Sequence, residues 1–268
     1  MENKIVVVRG GGDLATGVIQ KLHRAGFKVL VLEVSQPRFV RSKVCLGQAL
    51  YDGEYQVEDI IGKKISSLDQ AYETWDQGKI PILVDPEAKC LKDLRPFGLV
   101  DAIIAKKNLG TTRDMAPATI GLGPGFVAGK DVDIVIETNR GHNLGRLIFK
   151  GLAAANTGLP GDIRGFNRER VLRAPQAGRV EALVKIGDIV EKDQLLAKVG
   201  DQEVRSEIKG LVRGMVHPGL IMKAGEKIGD IDPRLDTEYK TISDKARNIA
   251  GGVLEALLIL KNKEIKWT

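Results

Sequence analysis

Two stretches of the chain, 178–199 and 210–231, carry one pattern at an offset of 32 residues. Gly178 stands against Gly210, Val180 against Val212, Val184 against Val216 and Gly187 against Gly219. Ile189 then matches Ile221, Leu196 matches Ile228 and Val199 matches Ile231. Matched glycines mark matched turns, and the apolar positions between them mark matched inward faces. Each half is too small to bury a face alone, so the spacing predicts two interlocked halves in one compact all-β barrel.

The other end of the chain reads differently. Residues 4–8 form a continuous β-branched run, the mark of a strand buried on both faces. Gly10-Gly11-Gly12 breaks it, residues 14–25 follow as a helix with Leu14, Val18, Ile19 and Leu22 on one face, and Gly26 closes it. A second buried strand spans 29–34, which completes a βαβ unit. Further helices are expected at 40–51 and 68–77, and further strands at 80–84, 102–105, 131–137 and 147–149. Residues 91–97 read as helical or irregular, and 156–165 as a linker. A final helix follows Pro233, capped by Ser243 or Asp244. Its stripe of Ile249, Val253, Leu257 and Leu260, with Ala246, Ala250 and Leu254 beside it, must be buried. The predicted fold class is therefore α/β. A Rossmann-like parallel sheet region spans 1–165, a small all-β domain spans 170–235, and a C-terminal helix within 240–268 returns to the α/β part.

Composition narrows the partners. The chain has 268 residues, 41 Lys and Arg against 35 Asp and Glu, and a net charge of +6. The basic residues are interspersed with acidic ones and aromatics make up only 4%, which argues against nucleic acid and for a small anionic ligand. Cys45 and Cys90 lack metal-ligand spacing and sit beside apolar residues, as free buried thiols do. No paired histidines, cysteine pairs or spaced acidic triads suggest a metal site. The first strand begins at once, and no apolar run is long enough to span a bilayer, so a cytoplasmic protein without membrane contact is expected.

Three segments carry candidate chemistry. Gly10-Gly11-Gly12-Asp13-Leu14-Ala15 fits the G-x-G-x-x-A form between a strand and a helix, where bare backbone and a helix N-terminus suit a phosphate. Glu33 ends the next strand, placed to accept from ribose hydroxyls and to disfavour a 2′-phosphate. Asp13 puts a negative charge where a pyrophosphate would sit, so the alternative is a glycine-rich turn that binds nothing. Lys107, Thr111, Thr112 and Arg113 form a second candidate, a basic and hydroxyl-rich loop at a strand end, with a solvated basic loop as the alternative. The third is Glu137-Thr138-Asn139-Arg140-Gly141-His142, where Arg140 would close the anion site and His142 is the candidate general acid or base.

Residues 174–180, with Gly187 and Asp188 after them, resemble the biotinyl/lipoyl barrel-sandwich hybrid fold, and the carrier lysine of that fold would align with Glu203. The resemblance therefore implies a barrel without a swinging arm. The whole chain resembles the YqeB-type family of selenium-dependent molybdenum hydroxylase system proteins. The likeness rests on Arg9 to Gly17, Glu137 to His142, Asn156-Thr157-Gly158 and Lys227 to Arg234. It implies an accessory or maturation factor for a molybdenum hydroxylase client, with an N-terminal part similar to Rossmann-like regions of xanthine dehydrogenase accessory proteins, and it brings no catalytic residues. The expected ligand is a small anionic nucleotide: a molybdopterin dinucleotide or other cofactor form, or NAD or FAD. An NAD- or FAD-dependent oxidoreductase and a non-catalytic scaffold remain alternatives, and the small domain would dock a client or a second copy of the chain as a homo-oligomer.

Overall fold

A computed structural model of the chain describes residues 4–158 and 160–262. Leu159 of the expected linker and the last six residues of the expected 240–268 region lie outside the described residues. The chain divides into two compact units. The first comprises Met1–Ser35, Cys45–Asn156 and Ile242–Thr268, and the second Gln36–Val44 and Thr157–Thr241. The division thus falls at 156 rather than 165, and a short excursion at 36–44 belongs to the second unit.

In the first unit the strands are β1 (Ile5–Arg9), β2 (Lys28–Glu33), β3 (Glu54–Val57), β4 (Ile60–Ile65), β5 (Ile80–Val84), β6 (Gly98–Asp101), β7 (Ala118–Leu122), β8 (Val127–Ala128), β9 (Ile134–Ile136), β10 (Leu147–Ile148) and β11 (Gly151–Leu152). The helices are α1 (Asp13–Arg24), α2 (Ala49–Asp52), α3 (Gln70–Asp76), α4 (Leu91–Leu94) and α5 (Asp244–Lys261). Nine strands form one mixed sheet in the order β10-β9-β7-β6-β1-β2-β5-β4-β3, with β8 and β11 as a separate pair. Neighbours from β9 to β4 run parallel, and only β10 and β3 are antiparallel. From β1 the chain moves to β2 on one side, and later places β6 on the other. The order therefore reverses at β1, the point at which sheets of this kind bind ligands beyond the C-terminal ends of their strands.

Strands β1, β2 and β7 are apolar and buried because helices cover the sheet. Helices α1 and α5 pack side by side on it, and their small residues permit the approach. A Cβ on Gly17 would lie 2.8 Å from the Ala246 carbonyl oxygen, and one on Gly98 would lie 2.8 Å from Leu257. The two helices run the same way, from the sheet's C-terminal edge to its N-terminal edge. Ile249, Val253 and Leu257 are fully buried in the same core as Val18, Ile19 and Leu22. Ser243 caps α5 by accepting from the Ala246 amide at 3.2 Å.

Two expected elements are corrected. The strand expected at 102–105 is β6, four residues earlier. Its register is set by pairing of Val6–Arg9 with Gly98–Asp101, and positive φ at Ile104 and Lys106 turns the chain away beyond it. The helix expected at 40–51 is instead two short 3-10 turns and the single turn α2. Leu46 donates to the Thr16 hydroxyl and Gly47 to the Gly11 carbonyl, so tertiary hydrogen bonds replace the helical ones.

The second unit holds β12 (Val171–Arg173), β13 (Gly178–Ala182), β14 (Ile189–Val190), β15 (Leu195–Val199), β16 (Gln202–Arg205), β17 (Gly210–Met215), β18 (Ile221–Met222) and β19 (Lys227–Asp232). They make two four-stranded antiparallel sheets, ordered β12-β19-β17-β14 and β16-β15-β13-β18. Adding 32 to the residue numbers carries β12 to β16, β13 to β17, β14 to β18 and β15 to β19, and it carries one sheet order onto the other. The exchange is reciprocal down to single bonds. Gly187 donates to Val212 and Gly219 to Val180, each at 2.8 Å, so each half closes the other's turn. Val180, Val212, Leu196, Ile228, Val199 and Ile231 share one core.

Candidate functional site

The C-terminal ends of β1 and β6 are built around a buried arginine, Arg9. Arg9, at the end of β1, is 3% exposed. Its guanidinium donates to Thr111 Oγ1, to the Pro86 carbonyl at 2.8 Å and weakly to Asp101 at 3.4 Å. The Thr111 hydroxyl in turn donates to Asp101 Oδ2 at 2.6 Å, and Asn108 accepts from the Gly110 and Thr111 amides. Thr111 is fully buried, so its hydroxyl serves this internal network and is not presented to a ligand. The signal was legible: one charged residue closing an otherwise apolar strand.

The remaining residues of that loop disperse. Arg113 forks onto Asp133 at 2.7 and 2.9 Å and donates to the Gly129 carbonyl. Asp133 directly precedes β9, so this pair lies at the N-terminal edge of the sheet, opposite the C-terminal ends of β1 and β6. Thr112 is exposed and bonds Asp114. Lys107 is exposed, and its backbone lies 2.7 Å from where a Cβ on Gly125 would sit. The structure therefore does not gather Thr111, Thr112 and Arg113 into one anion site.

The first glycine turn keeps its geometry but uses part of its bonding capacity internally. Gly10 has φ of +101°, and a Cβ there would meet the Ala102 carbonyl oxygen at 2.9 Å, so β6's exit loop passes directly over it. The Gly11 amide donates to Glu33 Oε2 at 2.8 Å, and Glu33 Oε1 accepts from Val34 at 2.8 Å. Burial pushes the Glu33 carboxyl above its ordinary value, against the two amides that favour its charged form. Glu33 thus folds back onto the turn. Gly12 is the N-cap of α1, and its carbonyl accepts from the Thr16 amide and hydroxyl, both at 2.8 Å. Asp13 opens the helix, Leu14 packs against the core and Ala15 is buried within it.

The first turn of α5 completes this end. Helix α5 begins beside α1 on the same edge, with Asp244 in its first turn. Arg140 donates to Asp244 at 3.1 and 3.3 Å, which holds that carboxyl down at about 2. The next residue, Lys245, is half-buried. Desolvation pushes its ammonium below the ordinary lysine value with help from Arg140, while Asp13, Glu137 and Asp244 act to hold its charge. Glu137, 5% exposed, accepts from the Asn139 and Ala154 amides, each at 2.7 Å. Arg140 is therefore held at the start of α5, and His142 is exposed in the same loop. Lys245 was also discoverable: a cation in a helix's first turn opposes the helix dipole. Among the described residues no group of His, Cys, Asp and Glu could hold a metal ion, and no helix is long and apolar enough to cross a membrane.

No family model matches the chain. YqeB of Escherichia coli K12, described as an uncharacterized protein, is 49% identical over 267 residues, 99% of this chain. That likeness supports a YqeB-type protein. The chain spans about half the length (49%) of that curated relative. Solved structures are far more distant. An aspartoacylase family protein from Mesorhizobium loti is 12% identical, with a TM-score of 0.30 covering 87% of this chain and 86% of that one. The ectoine utilization protein EutE (DoeB) from Ruegeria pomeroyi, without ligand, is 14% identical, with a TM-score of 0.27 covering 84% of this chain and 85% of that one. Superpositions this loose carry neither fold nor activity to this chain.

Proposed function

We propose that this YqeB-type chain is an accessory factor in the maturation of a selenium-dependent molybdenum hydroxylase. In this reading it holds a nucleotide-bearing anionic ligand, a molybdenum cofactor form or a dinucleotide, at a Rossmann-like crevice. The observation that carries it is the shared starting edge of α1 and α5. Two long helices direct their N-terminal ends to one place, with the half-buried Lys245 and Arg140 beside them. Helix N-termini and desolvated cations favour a phosphate there. Glu33 and Glu137 keep free lone pairs for hydroxyl donors such as a ribose. The cargo class rests on the family resemblance.

The second unit reads as a barrel-sandwich hybrid that carries no prosthetic arm. Glu203 lies in β16, directly after the turn that joins β15 to it, where a carrier would need lysine. Its role in this reading is to dock the client or a second copy, in the cytoplasm.

Calorimetric titration of the full chain with a molybdopterin dinucleotide, CTP, NAD and FAD tests the reading. The expected result is binding of the pterin dinucleotide, weakened at least tenfold by Gly12→Val and by Lys245→Met. Binding of NAD or FAD with turnover would replace it with an oxidoreductase using His142. Silence across the panel would leave a scaffold.

A further inference from the structure

The second unit contains its own control. Its halves match strand for strand, so whatever the fold requires in one half has a counterpart 32 positions away. Among the charged residues with no like counterpart, three lie together: Arg213 stands against Glu181, Asp230 against Lys198 and Asp232 against Gly200. The backbone departs at the same place. β13 pairs evenly through Glu181 and Lys198, whereas the β17–β19 register shifts between Val212 and Gly214. Arg213 is the extra residue of that bulge, a device that re-aims a side chain and clusters near functional sites. Gly214 then allows Val40 to close in, since a Cβ there would lie 2.7 Å from the Val40 carbonyl oxygen. That approach seats the 36–44 excursion on the bulge and brings Arg41 with it.

The charges around Arg213 do not balance. Its side chain is only 17% exposed, and Nη1 stands 3.6 Å from Asp232, beyond hydrogen-bond range. Nε is buried without a hydrogen-bond partner among the described residues. Asp232, fully buried, is already taken by Arg234, whose Nε and Nη2 reach its two oxygens at 2.8 and 2.7 Å. Asp230 is likewise shared by Arg170 and Lys227, each at 3.1 Å. Desolvation and the nearby Arg41 push the Arg213 guanidinium below its ordinary value. Removing a guanidinium from water without a full partner costs several kcal/mol, and the matching half shows that the fold does not demand it.

We propose that Arg213, Arg41 and Arg234 form an anion site in the second unit that takes a phosphate or diphosphate group of a small molecule. Guanidinium forks match phosphoryl oxygens two at a time, and a multiply charged group can answer several arginines where a single carboxylate answers one. This site is separate from the α1 crevice and does not depend on the reading given for it.

Pyrophosphate titration of the full chain, followed by calorimetry and thermal unfolding with sodium acetate at matched ionic strength, tests the site. The unmodified chain should bind pyrophosphate and unfold at higher temperature with it, and acetate should do neither. Arg213→Glu, which installs the residue type found at the matching position 181, should lose at least tenfold in affinity, as should Arg41→Met. Gly12→Val should retain the binding, which separates this site from the crevice. If Arg213→Glu fails to fold, Arg213→Met carries the test. Equal pyrophosphate affinity in folded Arg213 variants, or no binding by the unmodified chain at ~10 mM, would overturn the proposal.

Discussion

The two halves of the second unit share topology, turns and core, yet they treat charge differently. In the first half the strand pair β13–β15 runs in unbroken register, with Arg179 and Glu181 exposed and Lys198 half-buried. In the second half the equivalent pair β17–β19 is bulged and buries Asp230 and Asp232 under arginines. Since both halves meet the same packing demands, the common features belong to folding and the differences need another cause. Few proteins permit that subtraction within one chain.

The largest effects should come from breaking what the halves share. Leu196 and Ile228 are matched and both fully buried, so Leu196→Ala and Ile228→Ala should each cost roughly 2–5 kcal/mol in denaturant unfolding. Costs differing by more than about 1.5 kcal/mol would mean the halves are not energetically equivalent. The turn glycines should then separate. Gly187 and Gly219 have φ of +106° and +88°, and alanine at either position carries ~1 kcal/mol of backbone strain. A Cβ on Gly187 would also collide with the Tyr239 hydroxyl, whereas one on Gly219 meets only Arg179 Nη1 at 3.6 Å. Gly187→Ala should therefore lower the melting temperature clearly more than Gly219→Ala.

The smallest effect is a pH dependence confined to one half. Burial acts to raise the Asp232 carboxyl, but the Arg234 fork and Arg213 hold it below its ordinary value of 3.8. A depressed folded value means that its contribution is present above that ordinary value and lost as pH falls through the lower folded one. Gly200, the matching residue, has nothing to titrate. Hydrogen exchange followed by mass spectrometry should show β17 and β19 losing protection on acidification before β13 and β15 do. Simultaneous loss would remove the asymmetry from the energetics.

The first unit was legible wherever a pattern was local and strong. The run before Gly10, the stripe of α1 and the stripe of α5 all identify elements that the structure contains, because a strand buried on both faces and an amphipathic helix advertise themselves within a dozen residues. Boundaries failed where pairing overrode composition. Ala102, Ile103 and Ile104 read as the strand, yet pairing with β1 selects Gly98–Asp101, and Ile103 ends 37% exposed. Around Gly47 the backbone serves the Gly11 loop instead of a helix.

The candidate site was legible only in part. Glu33 meets Gly11 at the end of β1, while Arg140 pairs with Asp244 at the start of α5. Thr111 was taken by Arg9 and Asp101, and Arg113 by Asp133 on the opposite edge. Neighbours in sequence are not neighbours in space once a loop crosses from one edge of a sheet to the other.

Residue order alone established the βαβ start, the twofold repeat and the buried final helix. Periodic burial is a property of consecutive residues, and it survives any arrangement of the elements. Only the tertiary structure decided which charges meet: Arg140 on Asp244, Glu33 folded onto Gly11, and Arg213 left short of a partner at a bulge. Electrostatic environments depend on distances between residues tens to hundreds of positions apart, and no local pattern in the chain encodes those distances.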